Sequence, residues 1–243
     1  MEGKVILITG ASRGIGRAIA CELANENDII IANYNKSEES AELLKEELEK
    51  DNKNIEIYKA DVSKREEVRK MVEYIINKYG KIDVLINNAG ISFVKMFTEM
   101  SDDEWNYVIN NNLYSVFCVS QEVARNMINR KSGVIINISS IFGVIGASCE
   151  SIYAVTKAGI DALTKSLAKE FSLSNIRVNS VAPGLINTEM NNDLSLEDIK
   201  NIEEEIPLKR MGKPEEIAKT VKMLIESEYI TGQIIEVNGG WHM

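Results

Sequence analysis

The stretch VILITGASRGIG, from Val5 to Gly16, followed by RAIACELA, from Arg17 to Ala24, decides the reading of this chain. Its first residues are an apolar, β-branched run of the kind that forms a buried strand. Gly10, Gly14 and Gly16 then lead into an apolar pattern with helical spacing. A strand, a glycine-rich turn and a helix start therefore coincide. Glycine is required in such a turn because a Cβ would block the tight bend, the approach of backbone to a phosphate group or the packing of helix on strand, while the helix N-terminus favours an anion.

Outward from this unit the same alternation continues to the end of the chain. Strands are predicted at Val5–Thr9, Ile29–Asn33, Ile55–Lys59, Val84–Asn87, Val134–Ser139, Arg177–Ala182 and Ile234–Val237, with helical segments between them. In the stretch Glu38–Lys50, Ala41, Leu44 and Leu48 recur at helical spacing among charged residues, so one stripe packs on the sheet and the rest meets water. Repeated βαβ units predict an α/β fold: a single Rossmann-like, doubly wound domain over residues 1–243, with a seven-stranded parallel sheet and helices on both faces. With three prolines, no Ser/Gly-rich stretch and no fixed-period repeat, the chain offers no linker. The charge-rich residues 191–205 interrupt the alternation and are expected to form a helical lid over the substrate.

Composition narrows the classes of function. A net charge of -9 leaves no basic footprint for a phosphate backbone, so no nucleic-acid partner is expected. Cys21, Cys118 and Cys149 are odd in number and widely spaced, which argues against a disulfide framework or a zinc site and fits a reducing, cytoplasmic setting. The start MEGKVILITG runs straight into a strand-like segment without a leader pattern, and no apolar run approaches the ~20 residues of a membrane span. His242 is the only histidine, which leaves neither a Ser-His-Asp hydrolase nor a metal cluster to build.

Two further places carry chemistry. The second strand ends in Ala32-Asn33-Tyr34-Asn35-Lys36, where enzymes that use NAD usually place a carboxylate on the ribose 2′-hydroxyl. No acid stands there, and Arg13, with Lys36 nearby, is able to bind a 2′-phosphate, so NADP(H) is the expected cofactor. The second place is SIYAVTKAGIDALTKSLAKE, one long helix carrying Tyr153 and Lys157 on the same face. A free phenol has a pKa of about 10, and an adjacent ammonium is expected to lower it toward useful acid/base catalysis.

At this point the sequence resembles the short-chain dehydrogenase/reductase superfamily over essentially its full length. The resemblance rests on TGASRGIG in the first turn, Asn87-Asn88-Ala89-Gly90 after the fourth strand, Ser140 thirteen residues before Tyr153, and Pro183-Gly184 after the sixth strand. It implies a catalytic tetrad of Asn112, Ser140, Tyr153 and Lys157. Tyr153 would protonate the carbonyl oxygen, Ser140 would hold that oxygen, and Lys157 would tune the tyrosine and hold the nicotinamide ribose. Asn112 would keep a water that relays protons. Ser139 is the rival to Ser140, and the family's spacing to the tyrosine selects Ser140. The implied cofactor contacts are Gly10, Ser12, Arg13, Gly14, Ile15 and Gly16, then Asn35, Asp61 and Val62, then Asn88, Ala89 and Gly90, and finally Pro183, Gly184, Ile186 and Thr188, together with Tyr153 and Lys157. No metal is implied. The family further implies a homotetramer joined through residues 104–130, residues 153–171 and the last strand.

Two substrates compete. GASRGIGRAIA, NNAGI, IRVNSVAPG and ITGQIIEVNGG resemble the 3-oxoacyl-acyl-carrier-protein reductases of fatty acid biosynthesis, which reduce a β-keto thioester with NADPH. Those enzymes receive the acidic carrier protein on basic residues. Lys131 occupies one such place, whereas Ser174 stands where an arginine is typical. A narrower set, Gly146-Ala147-Ser148-Cys149-Glu150, Glu205-Ile206-Pro207 and Gly239-Gly240-Trp241-His242, resembles reductases of a 5-aminopentanone group on elongation factor P. Glu150 is the tentative substrate contact, because its carboxylate suits the ammonium of such a ketone where the fatty-acid enzymes carry glutamine. The ketone is thus expected to arrive on a protein, either acyl carrier protein or elongation factor P. A non-catalytic NADP-binding regulator is the reading from a different class, against which the intact tetrad argues.

Overall fold

The computed structural model describes residues 3–192 and 194–243; Met1, Glu2 and Asp193 lie outside the described residues, as do the parts of the expectations for residues 1–243 and 191–205 that fall on them. Seven strands form one parallel sheet: β1 Val5–Ile8, β2 Ile29–Tyr34, β3 Asn54–Lys59, β4 Val84–Asn87, β5 Gly133–Ile138, β6 Ile176–Pro183 and β7 Ile234–Val237. Their spatial order is β3-β2-β1-β4-β5-β6-β7. The chain is thus an α/β, Rossmann-like domain whose strand order reverses between β1 and β4. In a sheet of this kind ligands bind outside the carboxyl ends of the strands at the reversal.

Among the described residues nine α-helices connect and cover the strands: α1 Gly14–Leu23, α2 Glu38–Lys50, α3 Arg65–Tyr79, α4 Asp102–Ile109, α5 Ser115–Arg130, α6 Phe142–Ile145, α7 Ser151–Glu170, α8 Leu196–Glu205 and α9 Pro214–Glu226. Strand side chains alternate between two cores. Ile6 and Ile8 face a cluster shared with Ile19 of α1, Leu44 and Leu48 of α2 and Ile217 and Val221 of α9. Val5 and Leu7 face the other, with Met71 and Ile75 of α3, Val119 and Val123 of α5 and Ala168 of α7. Leu44 and Leu48 are essentially fully buried, which explains the helical stripe in an otherwise charged segment. Losing either side chain to alanine costs about 2–5 kcal/mol.

Between α4 and α5 the helix does not break but widens into one π turn, Asn110–Tyr114, in which the Ser115 amide donates to the Asn110 carbonyl. That extra residue turns Asn112 into the interior, where it is fully buried. Residues 191–205 hold the end of a short 3₁₀ turn, Glu189–Asn191, and α8, which opens on a capping box between Ser195 and Asp198. No helix among the described residues is long and apolar enough to cross a membrane.

Candidate active site

The first turn is held open by its own glycines. Gly10 has a φ of 63° and Gly14 a φ of 53°, in the left-handed region that an L side chain disfavours. A Cβ on Gly16 would stand 2.3 Å from the Gly10 carbonyl and 2.5 Å from Asn88 Nδ2, so α1 packs against the turn after β1 and the Asn88 side chain only because no side chain intervenes. Asn88 in turn locks the turn, donating through Nδ2 to the Thr9 and Gly10 carbonyls at 3.0 and 2.9 Å. The Asn88 and Ala89 amides both donate to Thr9 Oγ1.

Arg13 caps α1 in an extended conformation, Ser12 beside it is buried, and Ile15 packs against the core below the turn. The first turn of α1 contains no acidic residue, so its free amides present an uncompensated positive end. Across from it stands Thr188, whose Cγ2 is 3.4 Å from where a Gly14 Cβ would lie. A glycine cradle facing a bare helix N-terminus is a fit for a dinucleotide pyrophosphate.

At the far end of β2, Asn35 and Lys36 are exposed and Tyr34 is buried. An acid does lie near this end, contrary to the sequence reading: Glu38 opens α2, where it bonds the Tyr34 phenol and Lys59 Nζ, the latter at 2.8 Å. Lys59 holds the Glu38 carboxyl below its ordinary range and neutralises it, so Arg13 and Lys36 face no free carboxylate there. Asp61 is engaged locally, accepting from the Ser63 amide and hydroxyl at 3.0 and 2.6 Å, with the Asn35 side chain as a further donor. Val62 beside it is buried and offers an apolar surface.

Tyr153 and Lys157 share the sheet side of α7. Lys157 is buried and donates to the Ile138 carbonyl at the end of β5, at 2.9 Å, and its Nζ lies 5.5 Å from the Tyr153 ring centroid. The Ser140 hydroxyl favours the ionised Tyr153 phenol and accepts from the Phe142 amide at 3.2 Å, whereas Ser139 turns away to donate to the Val181 carbonyl at 3.3 Å. The Gly90 backbone closes the group: a Cβ there would be 3.3 Å from Asn112 Oδ1 and 3.7 Å from Lys157 Nζ. Asn112, Gly90 and Lys157 therefore converge on one point. On the β6 side, the Pro183 carbonyl accepts from Ile141, the Gly184 amide donates to Val237, and Ile186 bridges to Gly212 beneath Thr188.

Two expectations about individual groups change. The Asn112 side chain is already committed, its Oδ1 accepting from the Ile91 amide at 2.8 Å and its Nδ2 donating to the Ile91 carbonyl at 2.9 Å. A water held by this residue would thus have to meet the second lone pair of Oδ1 or the backbone carbonyl. The Tyr153 phenol, expected to be lowered by Lys157, is instead pushed up to about 12, chiefly by burial and further by the Glu150 carboxylate, with the Ser140 hydroxyl opposing. Burial also pushes the Lys157 ammonium down to about 8. The same low-polarity surroundings disfavour both charged forms, so the cation cannot simply be taken to lower the phenol.

The open side of the site was less legible. Glu150 is half-buried at the start of α7, its carboxyl raised by burial with no charged group of the chain acting on it. Phe142 and Trp241 meet edge to face at 5.7 Å, and Trp241 Nε1 donates to Glu205 at the end of α8 at 3.3 Å. This clasp joins the residue two after Ser140, α8 and the C-terminal segment. Its members lie far apart in sequence, and no local pattern marks Phe142 or Glu205 as neighbours of the site. Among the described residues no group of acids, histidines and cysteines is placed to hold a metal.

Comparison with known proteins agrees with this geometry. The family described as short chain dehydrogenase matches residues 4–198. The chain is 44% identical over 99% of both chains to a protein from Staphylococcus epidermidis named 3-oxoacyl-[acyl-carrier-protein] reductase FabG. It is 43% identical to a protein of the same name from Thermotoga maritima, over 99% of this chain and 98% of that one. A third protein of that name, from Buchnera aphidicola, is 41% identical over the same shares. A full-length match of this strength, on a sheet whose reversal point carries the glycine turn, places the chain in the short-chain dehydrogenase family, as an oxidoreductase that interconverts a carbonyl and an alcohol with a nicotinamide cofactor.

Proposed function

We propose that this protein is an NADPH-dependent keto reductase acting on a 3-oxoacyl group carried by acyl carrier protein. The observation that carries the reading is the full-length similarity to reductases of that name, together with Asn112, Ser140, Tyr153 and Lys157 standing around one cleft. Gly10, Ser12, Gly14, Ile15 and Gly16 would hold the pyrophosphate, Asn35, Asp61 and Val62 the adenine, and Asn88–Gly90 with Pro183–Thr188 the nicotinamide half. Arg13 binds the 2′-phosphate. When bound, the dihydronicotinamide supplies the hydride.

The chain's own residues handle the proton. Ser140 orients the carbonyl oxygen, and Tyr153 donates its phenolic proton to that oxygen as negative charge develops on it. A phenol raised to about 12 is fully protonated near neutrality, which suits the reducing direction. An alkoxide is far more basic than a phenolate, so the transfer is downhill. Lys157, still largely an ammonium near pH 7, stabilises the phenolate left behind. Protons return from solvent past Asn112. Residues 191–205 act as a lid, clasped through Glu205 and Trp241, that excludes water. The chain functions in the cytoplasm as a homotetramer.

A second reading is favoured by one observation. Glu150 is a half-buried carboxylate three residues before Tyr153 on which no cation of the chain acts, and this suits a ketone that carries an ammonium, such as an aminopentanone on elongation factor P. The deciding experiment follows NADPH oxidation with acetoacetyl-acyl carrier protein and with aminopentanone-modified elongation factor P in parallel. Turnover with the first at least tenfold above the second supports the main reading. The reverse ratio overturns it in favour of the second, and oxidation of neither despite tight NADPH binding overturns both.

A further inference from the structure

The buried stripe of α7 runs Ile152, Thr156, Lys157, Ile160, Asp161, Thr164 and Ala168. Asp161 is out of place in it. A carboxylate only 7% exposed is costly to the fold, where an aliphatic side chain would pack without penalty. It stands one helical turn beyond Lys157 and on the same face. Its carboxylate is fixed from the sheet side, accepting from Ser180 Oγ of β6 at 2.9 Å through Oδ1. A serine hydroxyl holds the carboxylate in place without cancelling its charge.

Asp161 is the anion that shares the buried face of α7 with Lys157. From β5 the lysine meets only the neutral Ile138 carbonyl, from the π turn the neutral Asn112, and from its own helix Tyr153. The negative charge of Asp161 works against the burial that lowers the Lys157 ammonium. On its other side Asp161 lines a groove of about 400 Å³ with Ala158, Lys165, Ile234 and Glu236. Burial raises the Asp161 carboxyl, with Ser180, Lys165 and Lys157 acting to keep it ionised, and Glu236 is itself engaged by His242 at 2.8 Å.

We propose that Asp161 is a positioning residue for the reduction: the fixed counter-anion that keeps Lys157 an ammonium on the Ile138 carbonyl, from where Lys157 supports the Tyr153 phenolate. This inference rests on the proposed roles of Tyr153 and Lys157. The active form for reduction holds both the phenol and the ammonium protonated. Removing a nearby anion lowers the pKa of each, so the alkaline limb of the pH profile must move to lower pH.

The test compares wild type with Asp161→Asn in the pH dependence of kcat/KM for NADPH-driven reduction of an acetoacetyl thioester. In parallel, the pH titration of the Lys157 13Cε resonance is followed, assigned by its disappearance in Lys157→Met. The expected result is an alkaline limb and a lysine titration both displaced downward by about one pH unit, a tenfold change in ionisation. Asp161→Glu should restore most of the shift, and the melting temperature of Asp161→Asn should not fall. Should the asparagine variant not fold, Asp161→Leu, which fills the same buried position, is expected to show the same displacement. An unmoved lysine titration overturns the inference whatever happens to stability. Full activity of Tyr153→Phe and Lys157→Met would overturn the proposed catalytic roles instead, and the resonance titration would still decide whether Asp161 controls the charge on Lys157.

Discussion

The two ends of the cleft are built by different means. The proposed cofactor end is made of backbone: left-handed glycines, the free amides of α1 and a close approach of α1 to the Gly10 carbonyl that Gly16 permits. The proposed substrate end is made of side chains from distant segments: Trp241 meets Phe142 and Glu205, and Glu150 acts on Tyr153. Backbone recognition suits a ligand whose shape never changes, because main-chain geometry cannot be altered one residue at a time. Side-chain recognition allows one fold to accept different ketones. The reaction class is therefore carried by the first end and the substrate by the second.

Tyr153 sits where the two ends meet, and its loss should have the largest effect. Tyr153→Phe removes the proton donor while keeping the ring, so kcat should fall by about 10²–10⁴ with NADPH binding retained, as read by turnover and by fluorescence titration. Undiminished turnover would place the acid elsewhere. Next in size, Gly16→Ala should strike the cofactor end alone: the added Cβ meets backbone at 2.3 Å, and overpacking of this kind costs about 1–3 kcal/mol. A lowered melting temperature with lost NADPH binding is expected, and a variant that binds NADPH normally would show that the turn is not backbone-limited.

Arg13→Ala should act on cofactor choice rather than on the fold. A charge-assisted hydrogen bond to a 2′-phosphate contributes about 1.5–3 kcal/mol, so the preference of kcat/KM for NADPH over NADH should drop at least tenfold. An unchanged preference, or wild-type activity already equal with NADH, removes Arg13 and the 2′-phosphate from the account.

The smallest effect is expected at the substrate end. Glu150→Gln removes a carboxylate that raises the Tyr153 phenol, so the alkaline limb of the reduction profile should shift slightly downward, with near-normal activity on an acetoacetyl thioester. Activity on a cationic ketone should fall with it if that end reads charge. Equal retention on both substrates would mean that Glu150 only starts the helix, where a carboxylate is favoured by the helix dipole.

Much of the molecule was legible without coordinates. The strands around Val5–Ile8 and Val84–Asn87, the limits of α2 at Glu38–Lys50 and of α7 at Ser151–Glu170 all follow from period and composition. Such signals are local, since each residue's burial depends on neighbours a few positions away. The site was legible where it lies on those elements: Tyr153 and Lys157 are four apart on one helix, and the glycines follow one strand. The neutralised Glu38, the committed amide of Asn112 and the clasp of Trp241 on Glu205 and Phe142 were not, because each depends on a contact between segments that no local pattern relates.

The sequence by itself determined the α/β class, the glycine turn, and the spacing that puts a phenol and an ammonium on one face of a helix. These are consequences of backbone sterics and side-chain period, which act over a few residues. Only the tertiary structure decided the electrostatics: that burial raises Tyr153 and lowers Lys157, that Ser140 rather than Ser139 reaches the phenol, and that Asp161 lies within the field of the lysine. Charge states depend on what surrounds a group in three dimensions and on how much water is excluded, and both arise only when the sheet and its helices close over the site.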